Sequence, residues 1–335
     1  MNVPGIVRNS TPFLSVILRT QEGRRAFLMD ALLSLAAQSC SDFEVVVMAH
    51  DVGEPTARVI EETLGEFDPE FSRRVRCERV GGGGRARAFN TAIRSVRGEY
   101  VACMDDNVVA FGHWVETVRK FAKSEPGRVV RTRVATQSIE PMCWDDWEGY
   151  MACTGVSTPF PEMFEFWTYV FEDMSPKCGF AFPRDCLDGV LTPFDESLHR
   201  GEEKEVVARS VLRNGVVDAG EVTTLERTWH VNDPSDIAKE ADEWNRTRSV
   251  LVSKLDRLEI LAPVGTVSAL DEFRRARSQA DAQLAEIESD RIAVREAFDR
   301  LQTEHDAVLH STSWRITRPL RVVSDLFRRT HFRAR

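Results

Sequence analysis

The chain has 335 residues, 42% of them hydrophobic and 29% charged, more than one ordinary domain needs and too apolar for global disorder. No apolar run nears the twenty residues that span a bilayer, and the N-terminus lacks the basic, apolar, then small-residue order of a secretory signal, so a cytoplasmic chain is expected. The net charge of −9 is uneven: residues 311–335 hold seven arginines against Asp325, so this tail carries +6 and the remainder −15. So acidic a body makes a poor nucleic-acid partner, whereas the tail suits an anionic surface. The seven cysteines (Cys40, Cys77, Cys103, Cys143, Cys153, Cys178 and Cys186) are odd in number and form no CxxC pair, which points to reduced thiols rather than a disulfide framework or zinc ribbon.

In chain order, Leu14–Leu18 reads as a buried strand. Phe27, Leu28, Ala31, Leu32 and Leu35 then recur at helical spacing. Phe43–Met48 is a second strand, and Pro55–Phe67 a second helix with Val59, Ile60 and Leu64 inward. Val75–Val80 is a third strand, followed by Gly81–Gly84 and a helix over Arg85–Val96. Tyr100–Met104 is a fourth strand that runs into Asp105, Asp106 and Asn107. Alternation of this kind predicts an α/β fold, a mainly parallel sheet flanked by helices. Ligands of such sheets bind at the carboxyl ends of the strands, where Thr20, His50, Asp51 and Asp105–Asn107 fall.

Residues 110–235 are less regular. Nine aromatics crowd into 144–171, for which core packing is the plainer reading and a stacking platform the alternative. From 236 the pattern is helical, with Pro263 and Gly265 as a break. Leu270, Phe273, Arg277, Ala280, Leu284, Ile287, Arg291, Val294, Phe298, Leu301, His305 and Val308 then keep a strict 3,4 spacing. That seam predicts a coiled coil and self-association, or else one helix folded back on the body.

Asp105, Asp106 and Asn107 offer hard oxygen donors at a strand end, which suit Mg²⁺ or Mn²⁺; a plain turn is the alternative. Arg85 and Arg87 open a helix whose free N–H groups could meet a diphosphate. The glycines before them are not followed by Gly-Lys-Ser/Thr, and they do not form a nicotinamide-type GxGxxG. Glu202-Glu203-Lys204-Glu205 by itself reads as a solvated helix start.

Together these segments resemble family 2 glycosyltransferases of the GT-A type. The resemblance rests on Leu14–Thr20 as the opening strand, Phe43–Asp51 as the strand ending in base-contacting acids, and Gly81–Asn107 with its Arg85, Asn90 and Gly98-Glu-Tyr lead-in to a DxD-like motif. It continues through Cys178–Arg184 and Phe194–Leu198 to Glu202-Glu203 at the place of the catalytic acid pair. The departures are Asn107 for an Asp, Glu203 for an Asp, and Lys204 for a Trp.

The resemblance implies transfer of a sugar from a nucleotide-diphosphate donor to a glycan or lipid-linked acceptor, with a divalent metal and inversion at the anomeric carbon. Glu203, or Glu202, would be the base. Thr20, Glu22, His50, Asp51, Arg85, Arg87, Asn90, Asp105 and Asp106 would bind the nucleotide-sugar. Asp105, Asn107 and His230 would hold the metal, although a lone histidine beside Trp229 is more often structural. Ser311–Arg321 resembles the ending that follows the coiled coil in bacterial surface-polysaccharide glycosyltransferases, and with its basic, amphipathic composition implies a peripheral position on the inner face of the cell membrane.

The expected organisation is a GT-A-like domain over 10–235, a helical linker over 236–262, a coiled coil over 266–310 and a basic tail over 311–335. A degenerate transferase domain serving as a scaffold through its coiled coil is the rival reading. A sugar-phosphate nucleotidyltransferase fits less well, because Thr20–Arg25 lacks the glycine-rich signature expected after the first strand.

Overall fold

The computed structural model describes residues 11–144, 147–171, 175–187, 193–198, 201–229, 246–257, 266–312 and 316–317. The chain divides into two compact units, Met1–Glu259 and Ile260–Arg335. His230, most of the 236–262 linker and nearly all of the 311–335 tail lie outside the described residues.

The first unit is built on a mixed sheet. Strands β1 (Leu14–Thr20) and β2 (Phe43–His50) bury every residue, as runs of Val, Ile and Leu do when helices cover both faces. With β3 (Val75–Val80) and β4 (Tyr100–Asp105) they form a parallel block in the order β3-β2-β1-β4. This is the half that the sequence spells out. Beyond β4 the sheet continues through β8 (Phe180–Pro183), antiparallel to β4, then β6 (Val129–Trp144), β9 (Val216–Trp229) and β5 (Val108–Ala110). A further strand, β7 (Trp147–Ala152), folds back on β6 as a hairpin.

Neighbouring residues of β1 point to opposite faces, so each face acquires its own core. Val16 and Leu18 pack with α1 (Arg25–Ala36) and α5 (Trp114–Ser124), whereas Ile17 packs with α4 (Arg85–Ile93) and α8 (Glu202–Asn214). In α1 the buried residues are the five read from the sequence. In α2 (Glu54–Gly65) the buried face is Ala57, Ile60 and Thr63, with Val59 and Leu64 only partly covered. The helix is therefore turned slightly from its apolar pattern.

The short α3 (Pro69–Ser72) starts on Asp68, whose carboxylate accepts from the Glu70 and Phe71 amides. Among the described residues, the unit also contains α6 (Phe166–Phe171), α7 (Arg184–Leu187) and α9 (246–255). Gly98 lies against β1, where a Cβ would stand 2.5 Å from the Ser15 amide nitrogen.

The middle of the chain is more ordered than its composition suggests, since β6 and β9 pair over most of their length despite register shifts at Arg131–Val134. Tyr169 is fully buried, Phe164 and Phe166 join the same core, and Tyr150 stacks on Phe27 at 4.4 Å. Tyr169, Phe164 and Phe166 are thus core, as the plainer reading has it, whereas Tyr150 is half-buried and Phe171 exposed. Cys40, Cys77, Cys103, Cys153, Cys178 and Cys186 are free thiols.

The second unit contains α10 (Thr266–His310), a single helix of 45 residues. Its seam residues Phe273, Leu284, Ile287, Val294, Phe298 and Leu301 are 60–69% exposed. Among the described residues, no helix is long and apolar enough to cross a membrane.

Candidate active site

The parallel strands deliver their carboxyl ends to one edge of the sheet, and the charged residues gather there. Arg19 and Asp105 are lateral neighbours in the β1–β4 register, and Arg19 Nε donates to Asp105 Oδ1 at 2.8 Å. The other face of that guanidinium meets His50 Nδ1 at 3.2 Å. Lys177, in the 3₁₀ turn (Lys177–Gly179) just before β8, donates from Nζ to Asp105 Oδ2 at 2.6 Å. Burial alone would raise the Asp105 pKa, but Lys177, Arg19 and Arg85 outweigh it and hold the carboxyl far below the usual range. The Lys177 side chain is only 7% exposed, and Asp105 offsets the burial that would otherwise discharge it.

Asp106 closes the adjoining position. Thr20 Oγ1 donates to its Oδ2 at 2.8 Å, and Arg24 donates to Oδ1 from Nε at 3.1 Å and from Nη2 at 2.8 Å. Its pKa is nevertheless raised, chiefly by burial. Asn107 bonds the next strand: its Nδ2 donates to the Arg227 carbonyl at 2.7 Å, and its own carbonyl accepts from the Arg227 amide at 3.0 Å.

Gly201 in the left-handed conformation (φ 72°) starts α8, and Arg85 of α4 meets its first turn. Arg85 Nε lies 3.2 Å from Glu202 Oε1, and Arg85 Nη2 lies 4.0 Å from Glu203 Oε2. The two acids differ sharply. Glu202 is 1% exposed in its side chain, and burial followed by the Glu203 charge pushes its pKa up to about 7. Glu203 is 21% exposed, and Lys177 and Arg85 together outweigh burial and hold its pKa below the ordinary value. The more accessible carboxyl is thus the ionised one. Glu226 on β9 belongs to the same electrostatic group, its pKa pushed up to about 7, first by burial.

Other expected ligands stand elsewhere. Asp51, at φ 52°, accepts from the Gly82 amide at 2.5 Å and so ties the end of β2 to the glycine loop. Glu22 accepts from Thr56 at 3.1 Å on an exposed loop. Arg87 is exposed and folds over Gly83, where a Cβ would stand 2.6 Å from its Cδ, so it parts company with Arg85. The buried amide of Asn90 is occupied with loop 193–198: it donates to the Phe194 carbonyl at 2.8 Å and to Glu196 at 2.9 Å, and it accepts from the Phe194 amide at 2.8 Å. Sequence reasoning missed Arg19, Lys177 and Glu226. An arginine closing the apolar run Leu14–Leu18 was the available signal for Arg19.

Family 2 enzymes commonly depend on a divalent metal, but the donors around Asp105 do not fit one. Both Asp105 oxygens are engaged by cations, and Asn107 is held by β9 through its amide. A metal at Asp105 would leave Lys177 and Arg19 buried without their counter-charge, and a broken buried pair costs on the order of 3–5 kcal/mol. Among the described residues, no three of His, Cys, Asp and Glu gather as a metal-binding group. His230 lies outside them.

Comparison with known proteins bears on the family and the fold. Residues 15–170 match the family model described as Glycosyl transferase family 2. A curated relative, the uncharacterized glycosyltransferase MJ1057 of Methanocaldococcus jannaschii, is 23% identical over 113 residues, 34% of this chain and 38% of the relative. The match thus spans well under half of that protein.

Among solved structures, S. aureus TarS 1-349 superposes with a TM-score of 0.53 at 14% identity, covering 74% of this chain and 66% of TarS 1-349. Its complex with UDP-GlcNAc gives 0.50 at 16% identity, covering 66% of this chain and 60% of that one. The sheet and its flanking helices share the TarS fold, and residues 15–170 of this chain are a family 2 glycosyltransferase domain of the GT-A type.

Proposed function

We propose that this chain transfers a glycosyl group from a nucleoside-diphosphate sugar to a hydroxyl of a glycan or lipid-linked glycan, with inversion. The observation that carries the reading is the partly exposed Glu203 at the carboxyl edge of the parallel strands, 4.0 Å from Arg85, where Lys177 and Arg85 favour its charged form. Glu203 takes the acceptor hydroxyl proton as the acceptor oxygen bonds to the anomeric carbon. The bond from that carbon to the diphosphate breaks in the same step, and the nucleoside diphosphate leaves with its electron pair. Arg85 faces the negative charge that grows on the leaving group.

The reading takes no step through a metal, because the Asp105 oxygens are already engaged. The TarS complexes with UDP-GlcNAc and UDP support uridine nucleotides as the first donors to assay. Asp51 and the glycine loop form the rim expected to meet the base, and Asp105→Ala is expected to abolish donor binding by releasing Arg19 and Lys177.

The exposed apolar seam of α10 supports self-association as the role of the second unit, and the basic 311–335 tail supports a peripheral membrane position. The test is Glu203→Gln in a transfer assay. Turnover is expected to fall by about 10²–10⁴-fold, the usual share of a general base, with donor affinity nearly intact. Unchanged transfer removes Glu203 from this role.

A further inference from the structure

We propose that Lys177, with Arg85, takes the place of a divalent cation at the donor diphosphate, and that Asp105 positions Lys177 rather than ligating a metal. This rests on the nucleotide-sugar reading above and goes beyond it. Asp105 stands where a strand-end acid would meet a metal, but its two oxygens meet Arg19 at 2.8 Å and Lys177 at 2.6 Å. Arg19 is itself held from behind by His50 at 3.2 Å, so it is fixed against the sheet.

Lys177 differs in its surroundings. Its chain lies over the Phe89 ring, with Nζ 5.1 Å from the centroid, and one carboxylate oxygen cannot engage all three ammonium hydrogens. Arg85 is 32% exposed and stands one turn before Phe89 on the same face of α4, so the ring that Lys177 covers brings the two cations to one side of that helix. Together they bring two positive charges, partly offset by Asp105 and Glu203. Unlike a hydrated ion, they are anchored by Asp105 on one side and by Glu202 and Glu203 on the other, and so need little reorganisation when charge develops on the departing diphosphate. Lysine and arginine also reach phosphate oxygens directly.

The test uses the full-length protein and titration calorimetry with UDP, GDP and dTDP, each in excess EDTA and each in Mn²⁺. At least one nucleotide is expected to bind in EDTA with an affinity within about fivefold of that in Mn²⁺, roughly 1 kcal/mol. Binding that needs Mn²⁺, or that tightens beyond that margin, overturns the proposal and leaves glycosyl transfer standing. Binding of none of them in either condition removes the donor reading and this proposal with it.

Lys177→Met leaves Asp105 paired with Arg19 at 2.8 Å, so the carboxylate keeps a buried counter-charge. The variant, checked by thermal melting to be folded at the assay temperature, is expected to bind the nucleotide at least tenfold more weakly, about 1.4 kcal/mol. Full affinity in that variant removes Lys177 from the diphosphate.

Discussion

Arg85 and Glu202 meet at 3.2 Å between Nε and Oε1, and this contact joins the first turn of α4 to the first turn of α8. It brings a helix from the parallel half of the sheet against one from the later half. The contact also keeps a buried carboxyl beside the accessible Glu203, so the two acids titrate at different pH.

Turnover is expected to rise with pH through about 7, because ionisation of Glu202 adds negative charge beside Glu203 and strengthens it as a base. Glu202→Gln is expected to flatten this inflection in a rate–pH profile while Glu203 still works. An unaltered profile in that variant assigns the inflection elsewhere.

Stability is expected to fall as Glu226 ionises. Its folded pKa of about 7 lies above the ordinary 4.5, so its contribution is complete below pH 4.5 and is lost as pH rises through 7. Glu226→Gln should recover about 1 kcal/mol at pH 8, some 2–4 °C in Tm, and change little at pH 5. Thermal melts of both proteins across pH 5–8 check this.

Gly98→Ala is expected to destabilise the first unit by about 1–3 kcal/mol, because the added methyl meets the Ser15 amide and the Leu14 carbonyl carbon, both backbone atoms. Chemical denaturation measures the loss. Gly65→Ala, where a Cβ meets nothing within 4 Å, is the control and should leave the midpoint nearly unchanged.

Asn90→Ala is expected to loosen loop 193–198. It removes two donors and an acceptor around Phe194 and Glu196, and the unsatisfied Phe194 backbone should cost on the order of 1–3 kcal/mol. Faster amide exchange over 193–198, with β1 and β2 protected as before, is the expected signature.

Leu284→Glu with Ile287→Glu is expected to lower the oligomeric state, since both side chains are exposed at adjacent seam positions of α10. Light scattering on the full chain reads the mass. An unchanged mass would take the seam out of self-association.

The parallel half of the fold is legible in the sequence because β1, β2 and β4 are nearly continuous apolar runs and its helices carry clear stripes. Even the charged Val75–Val80 coincides with β3, and Tyr100–Met104 falls one residue short of β4. The second half is harder. Strand β6 mixes Arg131, Thr132, Arg133 and Thr136 with its apolar residues, and its register against β9 shifts, so no period of two persists. The charged residues were legible where a motif framed them, as at Asp105 and Glu203. Lys177 and Glu226 stand in no such frame, and only the folding of distant strands onto β4 and β5 shows that they face buried partners.

Strand β8 bears on how the chain can be divided. It lies between β4 and β6, and the turn just before it supplies the ammonium that neutralises Asp105. A fragment ending at residue 170 would therefore leave β4 as a bare edge and Asp105 without Lys177, so it should fail to fold as an independent piece. Synthesis must run past β9 before the sheet can close, and assembly is correspondingly governed by pairings far apart in sequence, a topology that folds slowly.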